Sequence, residues 1–271
     1  MNKLQKLKKI ISRFDSCVVA FSGGVDSSFL LKVVRDVLPK NRILAVTAVS
    51  DTYTRSELQQ AKRFARSIDV IHKVIFTDEL KDKNFVKNSI QRCYFCKKEL
   101  FNNLTGIARR DGFRVCVDAS NLDDRRDYRP GSKAKKEFGV KSPLQQAGFT
   151  KNDIRLFSKK LNLKTWDLPA MACLASRIPY GEEIHKNTLR KIEKAERFIR
   201  ALGIDQVRVR YHSDIARIEV RRKDIKRFLK NFFCDKIIRY LKSLGFCYIV
   251  LDLEGYRAGS LNERLKQNLA A

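Results

Sequence analysis

The 271-residue chain carries 57 Lys and Arg against 30 Asp and Glu, a formal net charge of +27, and 44% of its residues are hydrophobic. That apolar content excludes an intrinsically disordered chain, and the length suffices for a sizeable core divided into a larger and a smaller domain. No apolar run approaches the ~20 residues of a membrane span, so no membrane partner is expected.

The N-terminal MNKLQKLKKIISRF alternates as an amphipathic helix rather than a secretory signal, which predicts a cytoplasmic protein. Val18-Val19-Ala20-Phe21 is a short apolar run of the kind found in buried parallel strands, and a helical repeat is expected from Phe29. Between them lies Ser22-Gly23-Gly24-Val25-Asp26-Ser27-Ser28. The glycines let the backbone approach an anion, while Asp26, Ser27 and Ser28 offer N-capping oxygens where the helix dipole is positive. The turn is therefore expected to hold phosphate. It is neither a Walker loop, which needs Gly-Lys-Ser/Thr, nor a spaced G-x-G-x-x-G.

Ile43 to Ala48 and Ile71 to Phe76 read as further buried strands, separated by a helix carrying Leu58, Ala61, Phe64 and Ala65. Strands alternating with helices predict an α/β fold with a doubly wound parallel sheet whose ligands bind at the carboxyl ends of the strands. Cys93-Tyr94-Phe95-Cys96 is expected immediately before a helix, and a lone C-x-x-C is open to zinc, redox or accidental readings. Phe113 to Asp118 is a fourth strand running into NLDDRRDYRPG, where Asn121, Asp123, Asp124, Asp127 and Arg129 cluster after a strand end. Ser142-Pro143-Leu144 reads as a strand end, and Thr150 with Asp153 as a capping box. The segment from Thr165 to Gly181 contains two prolines and little periodicity, which suits an active-site segment at a domain boundary.

Beyond Gly181 a helix, two alternating strands, two helices and a last strand predict a small α+β domain, giving boundaries of 1–180 and 181–271. In VRVRYH, Arg208, Arg210 and His212 share one face, either solvated or serving as a clamp for phosphate or carboxylate. Seven cysteines without a secretory signal argue against a disulfide framework and for metal, redox or catalytic use of some. Cys17, Cys116, Cys234 and Cys247 read as small buried hydrophobes.

Taken together, SGGVDSS, RCYFCKKELF, NLDDRRDYRPG, PAMACLASRIPYG and the C-terminal DLEGYRAGSLNE resemble one branch of the PP-loop ATPases, the LarE-type sulfur transferases of nickel-pincer cofactor biosynthesis. The resemblance covers nearly the whole chain. It implies cleavage of ATP to AMP and pyrophosphate with Mg²⁺, and a substrate, pyridinium-3,5-biscarboxylic acid mononucleotide, whose carboxylate is adenylated. The implied nucleotide and substrate contacts are Ser22, Gly23, Gly24, Asp26, Ser27, Ser28, Thr47, Asp124, Arg129, Arg208 and Arg210, with Asp26 and Cys173 catalytic.

For the sulfur step the resemblance leaves two routes open. In one, the Cys173 thiolate attacks the acyl-adenylate, AMP leaves, and β-elimination releases the thiocarboxylate with dehydroalanine left at Cys173. In the other, Cys93, Cys96 and Cys173 hold a [4Fe-4S] cluster with one iron open to carry sulfide, the arrangement favoured here because all three cysteines are present. A homo-oligomer is expected. A PP-loop tRNA thiolase is the alternative, which the positive charge supports but no separate RNA-binding module does; the charge is spread along the chain without a basic tail.

Overall fold

Every one of the first three predicted strands is present, and their pairing explains why the rest of the larger unit folds around them. The computed structural model describes residues 2–125, 130–257 and 259–263. In chain order the regular elements are α1 (Lys3–Ile11), β1 (Cys17–Ala20), α2 (Val25–Val37), β2 (Ile43–Val49), α3 (Arg55–Ser67), β3 (Ile71–Phe76), α4 (Lys83–Val86), α5 (Arg92–Arg110), β4 (Val115–Val117), α6 (Gly131–Glu137), α7 (Pro143–Ala147), α8 (Lys151–Lys160), α9 (Lys186–Ala201), β5 (Val207–His212), β6 (Ile215–Val220), α10 (Arg222–Ile225), α11 (Asn231–Ser243) and β7 (Tyr248–Leu251). The chain divides into two compact units, Met1–Phe85 with Ser89–Met171, and Val86–Asn88 with Ala172–Ala271.

In the first unit four strands pair in the order β3-β2-β1-β4, all parallel. Alternate residues of the central strands feed two cores. Cys17, Val19, Ile43, Ala45 and Val117 join Phe29, Leu30, Val34, Ala61, Leu144 and Phe149 on one side. On the other, Val18, Leu44, Val46 and Cys116 pack with Phe101, Leu104 and Ala134 from α5 and α6. Both faces are thus buried, which is why these strands read as continuous apolar runs. The strand order also fixes where a ligand can bind. From β1 the chain winds outward to β2 and β3, and β4 then lies on the opposite side of β1. The segments leaving β1 and β4 therefore diverge at their carboxyl ends and open a crevice between them.

The second unit holds a three-stranded mixed sheet, order β5-β6-β7, with β5 and β6 antiparallel and β6 and β7 parallel. Val207, Val209, Ala216, Ile218 and Val220 bury one face against α9 and α11, where Phe198 and Tyr240 stack at 4.0 Å. Residues 86–88 belong here because the Asn88 amide donates to the carbonyls of Pro179 (2.6 Å) and Glu182 (2.8 Å).

Several local expectations are corrected. The phosphate-loop helix begins at Val25 rather than Phe29, with Gly24 as N-cap and no side-chain cap, so Asp26, Ser27 and Ser28 lie inside the first turn instead of capping it. Cys93 and Cys96 lie within α5, not before it, because Arg92 already opens that helix. Ser142-Pro143-Leu144 leads into a helix with Pro143 in its first turn, where a missing N–H costs nothing; the strand-like pairing is a single bridge, Val117 to Lys141. Cys247 is exposed and Cys234 only partly buried, whereas Cys17 and Cys116 are buried as expected. Burial pushes the Cys17 thiol up to about 12, with Cys116 adding to it, and lifts Cys116 to about 11, so neither is a nucleophile.

Candidate active site

The loop leaving β1 is shaped by close approach. Gly23 has φ +76, and a Cβ built there would lie 2.9 Å from the Ala61 Cβ of α3 and 3.0 Å from its Cα. Only glycine satisfies both the dihedral and the space. Ser22 Oγ and Ser27 Oγ lie 3.1 Å apart, and Ser27 Oγ also donates to the Gly24 carbonyl at 3.3 Å, which ties the loop to the first turn of α2. The Ser28 N–H already bonds Gly24 O, so the N–H groups of Val25, Asp26 and Ser27 are the open end of α2. Met171 Sδ lies 3.2 Å from where a Gly24 Cβ would stand; Cys173 is two residues further along the chain.

Gly23→Val is expected to lower unfolding stability by about 2 kcal/mol or more, from the left-handed dihedral and overpacking together. It should also abolish ATP binding. Urea unfolding beside an ATP titration checks both, and a variant that binds ATP normally would remove the loop from the site.

Asp26 points across the crevice. Its Oδ2 accepts from Lys151 Nζ at 2.6 Å and Asn121 Nδ2 at 3.4 Å, while its buried Oδ1 has no partner among the described residues. An orphaned carboxylate oxygen beside an open helix N-terminus fits one ligand of a hydrated Mg²⁺, which keeps most of its waters and takes few protein oxygens. Asp124, in a short 3-10 turn after β4, accepts from the Asn121 N–H at 2.9 Å and so shapes this wall of the crevice. Arg129 lies outside the described residues.

Thr47, expected at the nucleotide, also supports the strand that leads into the loop. The residue is 1% exposed, and its hydroxyl donates to the Phe21 carbonyl at 2.6 Å and lies 2.8 Å from His72 Nε2. Burial, with Lys62 nearby, lowers the His72 pKa and keeps that ring neutral. Phe21 immediately precedes the loop.

The cysteines are divided. Cys93 and Cys96, three residues apart on α5, share a helical face; Cys93 is exposed and Cys96 partly buried. Cys173, exposed, precedes the 3-10 turn Leu174–Arg177 in the second unit, and its carbonyl accepts from Arg177 at 2.9 Å. Among the described residues no three Cys, His, Asp or Glu side chains gather to hold a metal.

The arginine face is not solvated. Arg208 and Arg210 are only 5% and 6% exposed. Arg210 grips the fully buried Glu219 with Nε at 2.9 Å and Nη2 at 3.0 Å, and donates further to the Ser176 carbonyl and Ser260 Oγ. Its clamp holds an internal carboxylate, which corrects the expectation of a ligand clamp at that residue. Arg208 donates to the Val207 carbonyl at 2.9 Å and stacks over Tyr256. Burial and then the charge of Arg177 lower it to about 10 against the pull of Glu196.

Four residues at these sites carried no sequence signal. Lys151 pairs with Asp26, Tyr53 donates to the Ser22 carbonyl, Gln60 donates to the Gly23 carbonyl, and the buried Glu79 lies 3.8 Å from Cys96 Sγ. Lys151 and Gln60 lay in recognised elements, Lys151 behind the Thr150 capping box and Gln60 in the helix between the second and third strands.

A family described as NAD synthase matches residues 3–95. The chain is 41% identical over 264 residues to an uncharacterised protein of Synechocystis sp., covering 97% of this chain and 98% of that one. It is 39% identical over 247 residues to a pyridinium-3,5-bisthiocarboxylic acid mononucleotide synthase of Lactiplantibacillus plantarum, covering 91% and 89%. An uncharacterised protein of Methanocaldococcus jannaschii matches at 31% over 262 residues, covering 95% and 98%.

Proposed function

The chain belongs to the LarE-type sulfur transferases of the PP-loop ATPase superfamily, and we propose that it adenylates a carboxylate of pyridinium-3,5-biscarboxylic acid mononucleotide and replaces the activated oxygen with sulfur. The observation that carries this reading is the loop of residues 22–28, whose backbone is locked by Gly23 against α3 and whose helix N-terminus is left open. A carboxylate oxygen attacks the α-phosphorus of ATP, the bond to the β-phosphate oxygen breaks, and the leaving pyrophosphate takes its charge into the loop and the first N–H groups of α2. Asp26, through its open Oδ1, is the proposed protein ligand of the Mg²⁺ that offsets that charge.

Sulfur delivery is assigned to Cys173, which is exposed, either as the third thiolate, with Cys93 and Cys96, of a [4Fe-4S] cluster that would carry the sulfide or, in the alternative, as the sulfur donor itself. In that alternative its thiolate attacks the acyl carbon, AMP leaves, and loss of the Cα proton breaks the Cβ–S bond to release the thiocarboxylate. In the second unit Arg208, buried beside Arg177 and Arg200, is the proposed contact for the anionic part of the substrate, with Arg210 and Glu219 as its support.

The test is product analysis. Wild-type protein with substrate should release AMP and pyrophosphate in equal amounts; ADP and inorganic phosphate as primary products would remove the assignment. Asp26→Ala should lower turnover at least about 100-fold at fixed Mg²⁺, the size of effect expected when a metal-held charge is lost, without unfolding the chain. A variant that retained turnover would show that Asp26 only anchors Lys151.

A further inference from the structure

The two carbonyls that begin the phosphate loop are both held from the same side by α3 and the turn before it. Tyr53 Oη donates to the Ser22 carbonyl at 2.6 Å, and Gln60 Nε2 donates to the Gly23 carbonyl at 2.8 Å. In a trans peptide the C=O of one residue and the N–H of the next point in opposite directions. Fixing Ser22 O on Tyr53 therefore turns the Gly23 N–H away from α3, and fixing Gly23 O on Gln60 does the same for the Gly24 N–H. Among the described residues the Gly23 N–H meets no acceptor, and the Gly24 N–H reaches only Ser22 Oγ, at 3.4 Å, within the loop itself.

We propose that Tyr53 and Gln60 are positioning residues that orient the Gly23 and Gly24 amides toward the pyrophosphate leaving group. The inference rests on the adenylation reading above and adds residues that touch neither ATP nor substrate through their side chains.

Three further observations support it. Gly23 lies so close to Ala61 that the loop cannot shift toward α3, so the two tethers act on peptide orientation and not on loop position. α3 is itself anchored at its start by a full capping box between Thr54 and Glu57, which fixes the origin of both tethers. Burial, and secondarily the Glu57 carboxylate, push the Tyr53 phenol well above its usual range, which keeps it a protonated donor at any working pH. An amide that rotates freely must be reoriented as charge develops on the leaving group, whereas one held beforehand needs no reorganisation.

Calorimetric titrations of full-length protein with Mg²⁺-pyrophosphate and, separately, with AMP read the proposal directly. Tyr53→Phe and Gln60→Ala each remove one donor, and Gln60→Glu sets a carboxylate against the Gly23 carbonyl and drives that peptide to turn. Each removal should weaken pyrophosphate about 5-fold, the worth of one hydrogen bond. Gln60→Glu should weaken it more, and AMP affinity and melting temperature should stay at wild-type values. Unchanged pyrophosphate affinity in all three variants would overturn the inference. Equal losses for pyrophosphate and AMP, accompanied by a lower melting temperature, would overturn it too, by showing a purely structural role. Wild-type protein that bound no pyrophosphate, or released ADP, would instead bring down the adenylation reading, so the two failures are distinct.

Discussion

Cys173→Ser is expected to abolish thiocarboxylate formation while leaving substrate-dependent release of pyrophosphate in place. A serine hydroxyl is far less nucleophilic than a thiolate and carries no sulfur, but nothing in the loop of residues 22–28 depends on it. The loss should be complete within detection, one of the two largest effects expected in this chain. Cys93→Ser and Cys96→Ser then separate the two routes. If Cys173 is consumed, both variants retain one turnover per chain, and the wild-type protein loses the mass of H₂S at Cys173 during reaction. If the three cysteines act together on a cluster, all three variants are inactive and the wild-type mass does not change. Mass spectrometry of protein prepared anaerobically with iron and sulfide, before and after reaction, reads the difference; an intact Cys173 after turnover would sink the sacrificial route.

The parts of this site legible in the sequence are those written in consecutive residues. SGGVDSS follows an apolar strand and opens a helix, so its glycines and its place at a strand end follow from local rules. The tethers do not. Tyr53 and Gln60 meet the loop only because β1 and β2 pair in parallel and bring α3 beside Gly23, and Lys151 meets Asp26 across 125 positions of chain. The arginine strand shows a different limit. Alternation placed Arg208 and Arg210 on one face, but the carboxylates beside that face, Glu196 of α9 and Glu219 of β6, come from elsewhere in the chain, so a pattern open to solvated or clamp readings proves to be buried against charge partners. The C-x-x-C pair was likewise readable as a pair, while its neighbour Glu79 was not, since only the packing of the turn after β3 on α5 brings it near Cys96.

The other large effect is expected from Glu196. Its carboxylate is fully buried and accepts from Arg177 Nε at 2.8 Å and Nη2 at 3.0 Å, from the Val209 N–H at 3.1 Å, and from Arg200. Burial alone would raise its pKa; the charge and hydrogen bonds of Arg177, helped by Arg200 and Arg208, outweigh that and hold it near 2, below the ordinary 4.5. Glu196→Gln keeps the shape but leaves the Arg177 guanidinium, itself 3% exposed, without its carboxylate, and a buried charge stripped of its partner costs about 3–5 kcal/mol. Because the folded-state pKa is depressed, the wild-type advantage is fully present above pH 4.5 and fades as pH falls from there toward 2. Urea unfolding of wild type and Glu196→Gln should therefore differ most at neutral pH and draw together through that acid window. A difference at neutral pH below about 1 kcal/mol, the scale of an exposed ion pair, would show that water or another group replaces the carboxylate and that the second unit does not depend on this pair.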